Sequence, residues 1–310
     1  MIVAEAPPRI PDDLVQPFQV EPYRLRGRLV RMGTTLDAIL SRHDYPPPVA
    51  RLLGELVVLA ATLASMLKFN GILTLQTKSD GPVKLLVADY AVETHAVRGY
   101  AQFDAARLAA LDPDASVPRL LGAGHLAFTI DQGADTERYQ GIVALEGTSL
   151  IDSVHHYFRQ SEQIETGIRV AVGRAGGTWR GGAIMVQRLP ETARGADGEA
   201  RDDQFRHVMT LIGTCRDDEL LSPSVAPTRL LFRLFHEEGV RVFPTLPLSD
   251  ACRCSEERVV RILGSFPPAE RGDLSVDGAI QVTCEFCGRR YRVDPAVLDS
   301  ASSERPPPAF

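Results

Sequence analysis

The sequence predicts an α+β protein: an N-terminal core of largely antiparallel sheets with helices, a helical linker, and a small C-terminal zinc-binding module. Three observations carry this. Segments alternating apolar and polar residues, joined by turn signals, fill much of the chain up to about residue 190. Helical stretches lie between them, the longest apolar on most faces. Near the C-terminus, Cys252-Arg-Cys254 and Cys284-Glu-Phe-Cys287 place four thiols in two close pairs.

The elements follow in order. Tyr23, Leu25, Gly27 and Leu29 alternate with Arg24, Arg26 and Arg28, which is strand periodicity with one wet face. Thr34, with Asp37 three residues on, starts a helix over residues 36–42. Pro46, Pro47 and Pro48 punctuate, and a buried helix follows over about 49–68. Residues 72–77 and 83–90 read as strands joined by Ser79-Asp80-Gly81-Pro82, with a third strand over 94–100. Residues 125–130 and 139–145 form another hairpin around Asp131-Gln132-Gly133, and residues 149–160 a helix. Strands over 163–172 and 178–187 turn at Gly176-Gly177. The core therefore spans residues 1–189.

Character changes at Pro190. Residues 190–203 (PETARGADGEARDD) have no large apolar group and read as a solvated loop. Two helices follow, about 204–215 and 227–237, separated by Ser222-Pro223. This charged loop and these helices join the core to the cysteine region. Residues 252–299 are the module, with a short helix opened by Ser255-Glu256-Glu257 and strands over 280–283 and 290–293. The tail, 300–310, carries Pro306, Pro307 and Pro308 and reads as disordered.

Composition excludes several classes. A net charge of −6 over 310 residues argues against a nucleic-acid binder, which needs a basic footprint. The module itself holds 7 arginines against 8 acids. The three lysines, Lys68, Lys78 and Lys84, follow Leu67, Thr77 and Val83, so no P-loop lysine exists and no ATP-driven mechanism is expected. Residues 1–13 lack a basic stretch followed by an apolar run and do not read as a signal peptide. The apolar run 56–67 is too short to span a bilayer as a helix, so no membrane role is expected. These features point to the cytoplasm, where thiols stay reduced and clustered cysteines read as metal-binding or redox-active.

Cys252, Cys254, Cys284 and Cys287 form the donor set of a tetrahedral Zn²⁺ site. The first pair has one intervening residue, unlike an ordinary ribbon, where both pairs are C-x-x-C. The same thiols can also form neighbour disulfides, so metal site and redox switch both stand. Arg253, Arg289 and Arg290 lie beside the ligands and offset the −2 charge of four thiolates around one dication. Gly288 suits a tight knuckle turn. So short a module is not expected to be stable on its own core. Structural zinc supplies about 10–16 kcal/mol to zinc-finger peptides, so metal loss should undo the local fold.

Taken in order, these features resemble the heat-shock protein 33 family over residues 13 to 295. The C-x-C with a long gap to C-x-x-C is the most specific element. Supporting stretches are residues 71–76 (GILTLQ), 80–83 (DGPV), 98–100 (RGY), 156–163 (HYFRQSEQ) and 181–187 (GGAIMVQ). The resemblance implies a redox-regulated holdase chaperone that uses no ATP and has no catalytic residue. The reduced, Zn²⁺-bound form is inactive. Oxidation joins Cys252 to Cys254 and Cys284 to Cys287 and releases zinc. The resemblance also implies that residues 190–251 are a metastable helical linker; module and linker then unfold, and the protein binds unfolding client proteins, often as a homodimer.

Two other classes remain open on the residues alone. One is a structural zinc ribbon binding nucleic acid or a protein partner. The other is a thiol–disulfide oxidoreductase using Cys284 and Cys287, which lacks the βαβ context that motif needs. The fifth thiol, Cys215, sits in an apolar helical stretch and reads as a core residue. His155, His156, Tyr157, Phe158 and Glu162 read as fold determinants, not as an acid/base or metal cluster. Ser149 and Ser161 have no G-x-S-x-G context.

Overall fold

The computed structural model describes residues 12–133, 136, 138–162, 164–189, 198–267, 270–271, 274–276 and 278–298. The chain divides into two compact units, Met1–Ala251 and Cys252–Phe310. The predicted tail, the N-terminal residues 1–11 and the loop residues 190–197 lie outside the described residues.

The first unit begins with β1 (Leu14–Val20), β2 (Leu25–Met32), α1 (Thr34–Leu40) and α2 (Pro47–Ala64). There follow β3 (Ile72–Ser79), β4 (Val83–Ala91), β5 (Ala96–Phe103), α3 (Ala105–Ala109), α4 (Val117–Leu121), β6 (Gly124–Asp131) and β7 (Tyr139–Ala144). Next come α5 (Leu150–Tyr157), β8 (Thr166–Ala175), β9 (Thr178–Arg188), α6 (Gly198–Gly213), α7 (Asp217–Leu221) and α8 (Pro227–Phe235). The short strands β10 (Val240–Val242), β11 (Leu246–Pro247) and β12 (Ser249–Asp250) complete it. One sheet runs β10-β1-β2-β9-β8, with β11 also on β1; the other runs β12-β5-β4-β3-β6-β7. Every pairing in this unit is antiparallel except β12 on β5. The α+β class and the antiparallel pairing agree with the sequence.

Helix α2 is the centre of the main core and packs on strands of both sheets. It starts at Pro47, earlier than the predicted Val49, because proline at the first helical positions has φ set for the helix and needs no N–H partner. It is thereby long and apolar enough to cross a bilayer by composition, longer than the apolar run predicted. Yet Val49, Leu53, Leu56, Val57, Val58 and Leu59 are all fully buried among protein side chains, as in a core helix.

Glu55 lies on the one less buried stripe of α2. Burial pushes its carboxyl up to about 7, with Arg51 one turn back pulling it partly down. A carboxyl raised on folding favours the protonated fold. Its contribution is fully present below pH about 4.5 and is lost as the pH rises through about 7, a loss of up to about 3 kcal/mol. Glu55→Gln should remove that dependence. In denaturant melts followed by Trp179, the chain's single tryptophan and a buried residue of β9, wild type should weaken relative to the variant between pH 5 and 8. Parallel curves would exclude this role for Glu55.

The other face of the first sheet is covered by α6, α7 and α8. Phe18, Leu25, Leu29, Ile184 and Val186 pack against Val208, Ile212, Leu220, Leu231 and Phe235 in a second core. Gly27 makes room for this: a Cβ there would sit 2.2 Å from the Phe18 ring, which crosses its paired partner and stacks on Phe235 at 5.7 Å. Two buried arginines reach from the sheet to the end of α7. Arg31 of β2 is 1% exposed and donates to the carbonyls of Ser222 (2.9 Å), Glu219 (3.2 Å) and Val225. Arg180 of β9 donates to the Leu221 carbonyl at 2.6 Å and pairs with Asp12 at 2.6 Å.

Several elements depart from the sequence reading. α6 begins at Gly198, inside the stretch read as a loop; a helix with a solvated face needs no large apolar group in its first turns. The helix over 149–160 ends as α at Tyr157 and continues as a π-turn, Phe158–Glu162. β1, α3, α4, α7 and the short β10, β11 and β12 have no counterpart among the predicted elements.

The second unit holds a three-stranded antiparallel sheet, β13 (Ser275–Val276), β14 (Ala279–Thr283) and β15 (Arg290–Val293), and the helix α9 (Glu256–Leu263). Its core is Val259, Leu263, Ile280, Val293 and Leu298, with Val260, Val282 and Tyr291 partly buried against it. Among the described residues this is a small core: at about 1.5–3 kcal/mol per buried aliphatic side chain, it is too little to fold a unit of this size without help.

Candidate metal centre

The four predicted ligands converge. Each is half-buried, and their sulfurs all lie within 4.8 Å of one another. Cys252 Sγ is 3.6 Å from Cys284 Sγ, and Cys254 Sγ is 3.4 Å from Cys287 Sγ. All four are free thiols. Four sulfurs at about 2.3 Å from a tetrahedral zinc stand about 3.8 Å apart, so the set fits such an ion.

Local structure on each side fixes the ligands. Ser255, directly after Cys254, caps α9 by accepting the Arg258 N–H at 3.2 Å. At the helix's other end, buried Arg271 donates to the carbonyls of Gly264 (2.9 Å) and Phe266 (2.8 Å). Cys284 and Cys287 sit in the turn between β14 and β15. The Cys284 N–H donates to the Arg289 carbonyl at 2.9 Å, and the Gly288 N–H to the Cys284 carbonyl at 2.8 Å. Gly288 has φ +70°, the left-handed conformation the knuckle requires.

The electrostatics call for a cation. Burial raises the Cys252 thiol, but the Cys254 backbone N–H and the thiols of Cys254, Cys284 and Cys287 outweigh it and bring it down to about 6. Burial pushes Cys287 up to about 12, with the other three sulfurs adding to the rise against the Arg289 N–H. Cys284 is also raised, by burial first, although the N–H groups of Cys287 and Phe286 act against it. The Cys252 thiolate is favoured while Cys284 and Cys287 are held protonated, chiefly by burial and then by the neighbouring sulfurs. A dication removes that conflict.

Other singled-out residues do not join the site. Cys215 is 1% exposed inside the core beneath α6–α8, and burial raises its thiol. Tyr157 stacks on Phe128 at 4.1 Å, and Phe158 is buried beside it, as fold determinants do. His155 and His156 are half-buried on α5. The Glu162 side chain lies outside the described ones. Sequence reasoning missed Tyr291, whose hydroxyl oxygen is buried without a hydrogen bond beside the Cys254 sulfur. Its position four residues after Cys287 was the available signal.

Comparison with known proteins places the chain. The family described as Hsp33 protein matches residues 13–294. The 33 kDa chaperonin of Caulobacter vibrioides is 45% identical over 293 residues, covering 92% of this chain and 95% of that protein. That of Pseudomonas fluorescens is 40% identical over 290 residues, covering 93% of each. The crystal structure of the 33 kDa chaperonin from Thermotoga maritima superposes with a TM-score of 0.76 at 21% identity, over 94% of this chain and 98% of the other, and so shares its fold. On a match spanning both units, at this identity to named chaperonins, the chain belongs to the Hsp33 family.

Proposed function

We propose that this chain is a redox-regulated, ATP-independent holdase of the cytoplasm. It acts by binding, with no catalytic residue. Cys252, Cys254, Cys284 and Cys287 hold one Zn²⁺ in the reduced, inactive form. The carrying observation is the convergence of four thiols in a unit whose core cluster, among the described residues, is five buried side chains. Bound zinc supplies the cross-link that this core lacks.

Oxidation removes the donors. With peroxide as oxidant, one thiolate attacks an O–O oxygen, giving a sulfenic acid and hydroxide; the neighbouring thiol then displaces water to form the disulfide. Which neighbour reacts matters. Links between the knuckles, Cys252 to Cys284 or Cys254 to Cys287, would staple the unit by about 4 kcal/mol of loop-closure entropy. Links within each pair, Cys252–Cys254 and Cys284–Cys287, leave the two knuckles free to part. The second pattern is the one the resemblance to the Hsp33 family implies, and it suits a switch that opens.

Unfolding of the module frees the chain after β12, and residues 190–251 serve as the metastable linker. Their helices lie over Phe18, Leu25, Leu29, Ile184 and Val186. Releasing them uncovers an apolar sheet face suited to the exposed apolar segments of unfolding clients. The active form is a homodimer.

Zinc release, free thiols and suppression of client aggregation, followed together under peroxide and mild heat, test this. Activity should appear as zinc leaves, with peptide mapping showing both neighbour disulfides and sedimentation showing a dimer. Complete oxidation with zinc loss but no gain in activity would reject the holdase reading.

A further inference from the structure

The sulfur environment is not uniform. Backbone N–H groups point at three sulfurs: Cys254 N–H at Cys252, Phe286 and Cys287 N–H at Cys284, and Arg289 N–H at Cys287. Beside the fourth, Cys254, stands the phenol of Tyr291.

Tyr291 is held there by the fold. It lies in β15 opposite Val282, and its ring packs against the core of Val259, Leu263, Ile280 and Val293. Its hydroxyl oxygen is shut off from solvent and makes no hydrogen bond of ordinary geometry. An orphaned buried hydroxyl costs roughly 1–3 kcal/mol. The polar neighbours placed at it are the Cys254 sulfur and the Arg289 guanidinium. A guanidinium has no acceptor, so it can only donate to the phenol oxygen. The phenol proton is then left for an acceptor, and the Cys254 sulfur stands beside it.

We propose that Tyr291 is a positioning residue of the metal centre: its O–H, polarised by Arg289, donates to the Cys254 thiolate when the metal is bound. Three consequences follow. The relay spreads part of the site's negative charge onto Tyr291 and the exposed Arg289. It tightens metal binding as outer-sphere donors do. It also withdraws charge from Cys254 and makes that sulfur a poorer nucleophile toward oxidants. Tyr291 would thus set how readily the C-x-C half of the centre opens.

The inference rests on the metal reading above, and the test separates the two. Zn²⁺ and Co²⁺ uptake by the reduced full chain is measured for wild type, Tyr291→Phe, Arg289→Met and a chain with 3-fluorotyrosine at 291. Tyr291→Phe keeps the packed ring and should lose about 10- to 100-fold in zinc affinity by chelator competition. The sulfur-to-cobalt charge-transfer band should move to lower energy, because the unbonded thiolate is more electron-rich. Peroxide should release zinc faster, with alkylation rising most at Cys254. Arg289→Met should shift the same readouts less. Fluorotyrosine, a stronger donor with the ring retained, should shift the cobalt band the opposite way even if the phenylalanine variant folds poorly. Wild type that takes up neither metal overturns both readings. Wild type that binds while all variants keep its affinity and cobalt spectrum overturns the tyrosine assignment alone.

Discussion

Replacing Cys284 with serine should unfold the second unit while the first stays folded. The serine hydroxyl is not ionised near neutral pH and is a far weaker zinc donor than thiolate. Losing one of four converging sulfurs therefore forfeits much of the roughly 10–16 kcal/mol that a structural zinc supplies. The remaining core of Val259, Leu263, Ile280, Val293 and Leu298 cannot replace it. Zinc content should fall from about one per chain to near zero, and amide spectra of β14, β15 and α9 should collapse. Trp179 reports the first unit and should keep its melting transition. A chelator acting on wild type should give the same result reversibly. Dispersed second-unit resonances in the metal-free variant would show that the unit stands on its own core and would remove the basis for a metal-held switch.

Arg31→Ala should loosen the α6–α8 layer ahead of the rest of the first unit. Arg31 is buried, and burial lowers its guanidinium to about 10, which leaves it charged at neutral pH. It donates to the carbonyls of Glu219, Ser222 and Val225, at the end of α7 and the approach to α8. Truncation strands these acceptors and leaves a cavity, at a cost of about 3–5 kcal/mol. Hydrogen exchange in α7 and α8 should accelerate by at least about a hundred-fold, with β3–β6 little changed. In the holdase reading, such a variant should also gain activity at lower oxidant exposure. Equal acceleration across both sheets would mean that Arg31 supports the whole unit and does not latch this layer.

The centre was legible in the chain because its chemistry is local. C-x-C and C-x-x-C each bring two sulfurs together by spacing alone, and Ser255 and Gly288 mark the flanking cap and turn. Long periodic elements were legible for the same reason: α2, β3, β4 and β9 carry their patterns within one segment. β1 was not, because Gln16 and Pro17 break its alternation. Gln16 is buried there, its amide donating to the carbonyl of Phe243, far along the chain, and to that of Pro17. α7 has five residues, too few to show a helical period. β10, β11 and β12 are strands only because β1 and β5 offer them open edges.

The sequence by itself therefore determined the fold class, the clustering of the four cysteines and the family, since each is written in residue type and short-range spacing. Tertiary structure decided the rest. Gly27 is a seat for Phe18 only once β1 and β2 pair. Arg31 looks like one more basic residue on a wet strand until α7 closes over it and turns its carbonyls inward. Tyr291 acquires a role at Cys254 only when the β14–β15 hairpin and the chain entering α9 meet. In each case the energy lies in a contact between residues distant in sequence, and such a contact leaves no local pattern to read.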